Sequence, residues 1–244
     1  MSARATASTA GRILRQLHHD KRTVALLIVL PAFLLTNVWA MYDGEHDSFN
    51  HIGLALLGLF PFITMFLVTS VSMLRERTTG TLERYLTLPV GKTDLLFGYG
   101  IGFSIAAVAQ ATVATAIACG PLGLDTGTPW LAALVAVASA VLGVALGLFC
   151  SAFARTEFQA MQFLPVAVLP QLLLCGLFVP RDQMSGWLHA VSDVMPLTYA
   201  VDALRVLSAQ GGATGTMWRD LAVVVGCATT ALVAASTTLR RRSR

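Results

Sequence analysis

The sequence predicts an all-α membrane protein with six transmembrane helices, and its composition and charge distribution carry that expectation. Hydrophobic residues fill 55% of the 244 positions and charged residues only 12%, against roughly 25% charged in a soluble domain. The charges are also clustered. They leave apolar stretches of about 19 to 24 residues, the length a helix needs to cross a hydrocarbon core about 30 Å thick. An open sheet is excluded because lipid offers no partner for edge N–H and C=O groups, and the alternation of a barrel strand is missing.

Taken in order, the chain opens with a cytoplasmic segment, residues 1–22. There Ala10, Ile13, Leu14 and Leu17 recur at helical spacing while Arg12, Arg15 and Lys21 occupy other faces. This pattern predicts an amphipathic helix lying in the membrane interface. The six-span domain covers 23–239, with spans near 23–42, 52–74, 95–118, 130–153, 158–179 and 221–239. The first span is too long, and preceded by too many polar residues, to be a cleavable signal peptide. A basic tail, Arg-Arg-Arg-Ser-Arg at 240–244, suits anionic headgroups.

Basic residues in short loops set the orientation, because Lys and Arg are retained on the cytoplasmic side. With the N-terminus inside, the inner segments hold every Lys and Arg except Arg181, Arg205 and Arg219, and the outer loops collect Asp43, Glu45, Asp47, Asp125, Asp182, Asp193, Asp202 and Asp220. Both termini are therefore expected in the cytoplasm. The net charge of +4 follows from this topology, and no nucleic-acid partner is inferred from it.

The spans lack the residues that several functions need. Ion-driven carriers place ionisable groups near mid-membrane despite their cost, yet the interiors of these spans contain no Asp, Glu, Lys, Arg or His. Their polar members include Asn37, Gln110, Gln162 and Gln171. Gln110 and Gln171 are candidates for a translocation path or a helix contact. No Ser or Asp pairs with a His inside a span, and no cluster has metal-ligand spacing. Cys119, Cys150, Cys175 and Cys227 read as small packing residues. Small residues recur every four positions in the third span from Gly102 to Ala118 and in the fourth at Ser139, Gly143, Gly147 and Ser151. Such seams let helices approach closely, within one chain or between two copies.

Between the second and third spans lies RERTTGTLERYLTLPVGKTD, residues 75–94. Its Gly91-Lys92-Thr93 imitates the end of a phosphate-binding loop, but such a loop needs a glycine five residues earlier. Leu86 stands there instead. Gly80 or Thr81 can start a short helix, Glu83 suits its first turn and Pro89 stops it. Leu82, Tyr85 and Leu86 would form one apolar edge, which fits the groove of a soluble partner.

These residues resemble the cytoplasmic segment of ABC-2 type transporter permeases, with Arg-Glu-Arg, then Gly-Thr-Leu-Glu-Arg, then a proline before the next span. A second stretch, residues 176–205, ends Pro-Leu-Thr-Tyr-Ala-Val-Asp-Ala-Leu-Arg and resembles the same family. Thr78 departs from it, standing where the family often has an acidic residue. The resemblance, which extends to daunorubicin-resistance and nodulation-type export permeases, implies a membrane subunit that has no cofactor of its own. ATP and Mg would be bound by a separate ABC ATPase docked on a coupling helix at Glu76, Gly80, Leu82, Glu83, Arg84 and Pro89. It further implies a second permease copy or a related permease, and a place in the bacterial cytoplasmic membrane.

The outer segment has a reading of its own. Pro180 and Pro196 divide it into pieces too short to span, Trp187 and Tyr199 suit an interface, and Asp202 and Arg205 are spaced to pair across one helical turn. The resemblance implies short re-entrant helices in the outer leaflet that cap the path. The function expected is export of an amphipathic or lipophilic substrate. A membrane scaffold or sensor that recruits a soluble partner without moving cargo is the alternative.

Overall fold

The computed structural model describes residues 3–42, 45–79, 91–154 and 156–238. Every regular element among them is helical. Helix α1 (Ala3–His19) is separated from α2 (Lys21–Met41) by Asp20 alone. The Asp20 carboxylate accepts hydrogen bonds from the Thr23 amide at 3.2 Å and the Thr23 hydroxyl at 2.6 Å, satisfying the first turn of α2. Then follow α3 (His46–Thr78), α4 (Lys92–Cys119), α5 (Pro129–Ser151) and α6 (Glu157–Leu174). A single 3₁₀ turn (Arg181–Gln183), α7 (Gly186–Val194), α8 (Pro196–Gln210) and α9 (Gly215–Thr238) complete the order.

Five of these helices, α2, α3, α4, α5 and α9, are long and apolar enough to cross a membrane. Helix α6 is not among them. It stops at Leu174, short of the expected end at 179, and carries Pro165 and Pro170 along with Gln159, Gln162 and Gln171. The chain leaves it through Gly176, whose φ of +87° favours glycine. In the other direction α3 runs past its expected limit of 74, so Arg75, Glu76 and Arg77 belong to a helix whose negative dipole end suits the two arginines.

Helix α3 is central and packs on α2, α4, α5, α6 and α8. Its closest partner is α5, and the small-residue seam explains why. The Ser139 hydroxyl donates to the Gly58 carbonyl at 2.7 Å. A Cβ at Gly143 would stand 2.3 Å from the Phe62 carbonyl oxygen, and one at Gly147 would stand 2.6 Å from that of Phe66. Apolar side chains gain little from leaving lipid for protein, so close backbone approach supplies the attraction instead. The seam expected in the fourth span thus works inside one chain.

The third-span seam also has a partner within the chain. Gly98 and Gly102 on α4 form a groove that receives α1, with Thr9 and Ile13 so near that a Cβ at either glycine would crowd them. Ala10 and Ile13, part of the apolar edge expected to face lipid, are therefore buried against α4. Helix α2 stays peripheral, with Leu26, Val29 and Phe33 more than half exposed.

Candidate functional site

The last turn of α3 meets four other helices, at the start of α6, the end of α5, the middle of α1 and the second turn of α4. Successive residues on a helix diverge by about 100°, so three consecutive polar side chains reach in three directions. Arg75 meets Glu157 at the start of α6, with Nε to Oε1 at 2.8 Å and Nη2 to Oε2 at 3.3 Å. Arg77 donates from Nη1 to the Ser151 carbonyl at 2.5 Å, satisfying an orphan acceptor at the end of α5.

Glu76 points inward and is only 7% exposed. Its carboxylate takes a bidentate pair from Arg12 on α1, Nη1 to Oε1 at 2.8 Å and Nη2 to Oε2 at 3.3 Å. The hydroxyl of Tyr99 on α4 donates to the same carboxylate and accepts from Arg12 Nη2 at 2.5 Å. The guanidinium carbon also lies 5.4 Å from the centre of the Tyr99 ring, within cation–π range. Burial alone would weaken Arg12's hold on its proton. The hydrogen bonds to Glu76 and Tyr99, with the charge of Glu76, outweigh that and raise its pKa above the ordinary value.

Of the residues expected to couple to an ATPase, Glu76 is thus turned into the protein, and Gly80, Leu82, Glu83, Arg84 and Pro89 lie outside the described residues. Gly91 is the residue that caps the N-terminus of α4.

The two glutamines join helices. Gln110 is fully buried on α4 and its amide donates to the Thr64 hydroxyl on α3, while its Oε1 has no hydrogen-bond partner among the described residues. Gln171 on α6 donates to the Ala167 carbonyl at 2.8 Å and accepts from the Leu197 amide at 3.3 Å, which ties α6 to the first turn of α8.

At the opposite end, Arg181 forms a second hub. It donates to Ser192 Oγ at 3.0 Å and pairs with both Asp193 and Asp202. The expected pair between Asp202 and Arg205 does not form. Arg205 reaches back to the Gly176 carbonyl at 2.7 Å, exposed by the turn after α6, and Arg181 takes Asp202 in its place. Burial raises the Asp202 pKa above the usual carboxylate value, and Arg181 offsets only part of that.

Pro180 caps the 3₁₀ turn and Pro196 starts α8, as proline does at a first helical position. Trp187 is 70% exposed, and the Tyr199 hydroxyl donates to the Asp193 carbonyl at 2.7 Å. Beside this segment lies an apolar cavity of about 640 Å³, bounded by Pro165, Leu169 and Leu173 of α6 and by Val179, Met184 and Leu188.

Arg12, Tyr99, Arg77, Glu157 and Arg181 were not singled out by the sequence pattern. For Arg12 there was one signal: it flanks Ile13 on an amphipathic helix, next to the face that becomes buried.

Long apolar helices with a polar junction at each end define a polytopic helical membrane protein. The family of such proteins follows from comparison. The ABC-2 type transporter family matches residues 7–208, and the chain belongs to that family. Relatives include the probable multidrug ABC transporter permease YbhR of Escherichia coli (strain K12), 27% identical over 168 residues, which is 68% of this chain and 46% of the relative. The linearmycin resistance permease protein LnrN of Bacillus subtilis (strain 168) is 25% identical over 155 residues, 63% of this chain and 40% of the relative. ABC transporter G family member 20 of Dictyostelium discoideum is 29% identical over 173 residues, 70% of this chain and 24% of the relative. The aligned stretch spans less than half the length of each of these relatives.

Proposed function

We propose that the chain is the permease subunit of an ATP-driven exporter, powered by a separate ABC ATPase docked on residues 75–94. Its membership of the ABC-2 type family over residues 7–208 carries this reading. The ATPase binds ATP and Mg, and the permease hydrolyses nothing. Two permease copies, or this chain and a related one, enclose the path. The cargo is amphipathic or lipophilic, in keeping with spans free of fixed mid-membrane charge, and it leaves across the bacterial cytoplasmic membrane.

Six passes are part of the reading. Helix α6 supplies the sixth: it starts beside Arg75 at the junction, and the chain just beyond its end meets Arg205 at Gly176. Its 18 residues cover about 27 Å at 1.5 Å per residue. Both termini are then cytoplasmic, α1 runs along the inner interface, and α7 and α8 dip into the outer leaflet without crossing it.

Co-purification with the candidate ATPase, followed by ATP turnover in lipid nanodiscs, tests the docking. Leu82→Ala and Glu83→Ala should lower the permease-dependent turnover. Unchanged turnover in an intact complex would favour a scaffold that recruits a partner without driving transport. Gln110→Leu sharpens the place of the glutamines: as a helix contact it should alter thermal stability and leave cargo preference alone, and a changed preference would put Gln110 on the path.

A further inference from the structure

The arrangement around Arg12 asks for more than stability. A buried ion pair offers little net stabilisation over a well-packed apolar contact, because desolvation offsets most of the attraction. Here one guanidinium holds both arms of the proposed docking segment at once. Glu76 lies on the arm by which the chain enters it from α3, and Tyr99 lies on the arm by which it returns into α4. The helix carrying Arg12 is itself seated on backbone, since Gly98 and Gly102 leave room for nothing larger between α4 and α1.

We infer that Arg12 is a positioning residue: it straps α1 to both arms of the docking segment, so that the three move as one body when the ATPase drives that segment. The inference rests on the docking reading above. Residues 80–90 join the rest of the chain at Thr79 and Gly91, and Arg12 bridges the two helices that flank them, three residues behind the first point and eight beyond the second. Rigid connection of this kind transmits motion only while each member keeps its place. Arg12 acts through Glu76 and Tyr99 and needs no contact with the ATPase or the cargo.

Two measurements on the full chain test this. In the complex with its ATPase, Arg12→Gln should leave assembly and the KM for ATP unchanged while permease-dependent kcat falls roughly 2- to 30-fold, the range of coupling energies along packed networks. Arg12→Lys should recover part of the loss. Combining Arg12→Gln with Glu76→Gln should cost no more than the worse single change, because both break one unit. Unchanged kcat in an assembled Arg12→Gln complex would overturn the inference, as would a loss that simply tracks dissociation of the complex.

The second measurement uses the permease alone, so failure of the docking reading remains distinguishable. Spin labels at Gln16→Cys on α1 and Thr78→Cys on α3, with the four native cysteines replaced by alanine, should give one narrow distance distribution that broadens on Arg12→Gln. A distribution equally narrow without Arg12 would refute the strap. If the ATPase fails to bind wild-type permease while the broadening is seen, the docking reading fails and the strap between helices stands.

Discussion

The two polar hubs of this protein are opposite in kind. The hub at the last turn of α3 is a carboxylate, Glu76, whose partners Arg12 and Tyr99 lie 64 and 23 residues away on separate helices. The hub ahead of α7 is a guanidinium, Arg181, whose partners Ser192, Asp193 and Asp202 lie 11, 12 and 21 residues away, all within residues 181–202. The Glu76 hub therefore fastens distant parts of the chain to one another. The Arg181 hub folds a local stretch onto itself, and that stretch joins the bundle through Gln171, Arg205 and the fully buried side of α8. Breaking the first should loosen the whole end of the bundle around it, and breaking the second should loosen one module.

The largest effect is expected from Glu76→Ala. It removes the carboxylate paired with the Arg12 guanidinium, which is only 24% exposed, and loss of one partner of a buried pair typically costs about 3–5 kcal/mol, here toward the lower end because Arg12 keeps its contact with Tyr99. Thermal unfolding in detergent should show it, with hydrogen exchange rising in α1 and at the start of α4 together. Exchange that rises in α3 alone would mean that the hub does not join the helices.

Arg181→Ala should act more locally. It strips Asp202 of a hydrogen-bonding counter-charge, at about 1–3 kcal/mol for a buried acceptor left unsatisfied, and should open residues 175–210 to proteolysis without altering α1. The pH dependence has a definite sign. Burial already raises the Asp202 pKa, and Arg181, with a smaller contribution from the charge of Arg205, holds it down. Without Arg181 it climbs further, so the folded variant binds the proton more tightly than the unfolded chain does. Its stability deficit should then shrink as pH falls through the raised pKa and grow as pH rises. A deficit independent of pH would place the damage elsewhere.

The same contrast governs what could be read from the sequence. Hydrophobic length located five long apolar helices, and the prolines divided the segment from 180 to 205, because those properties are local. The seam at Ser139, Gly143 and Gly147 was visible as a four-residue period, but its partner, the backbone of α3, was not. The glutamines were legible as hydrogen-bonding groups without their partners. Arg12 and Tyr99 were hidden for a similar reason: nothing near either residue signals a carboxylate 64 or 23 positions away. The pairing of Asp202 with Arg205 failed because helical spacing ranks only neighbours on one helix. It cannot weigh a carbonyl freed by the turn at Gly176, or a guanidinium arriving from Arg181.

The smallest effect should come from the other ion pair at the last turn of α3. Arg75 and Glu157 have good geometry, yet their side chains are 63% and 42% exposed, and water and salt screen such a pair over a Debye length of about 10 Å at 0.1 M. Arg75→Gln should therefore leave the melting temperature within error at physiological salt, with a small decrease only at low salt. The comparison with Glu76 is informative because the two residues adjoin on one helix and both form bidentate pairs. A shift for Arg75→Gln as large as that for Glu76→Ala would show that this face is covered in the assembled protein, and that Arg75 belongs to the junction as fully as its neighbour does.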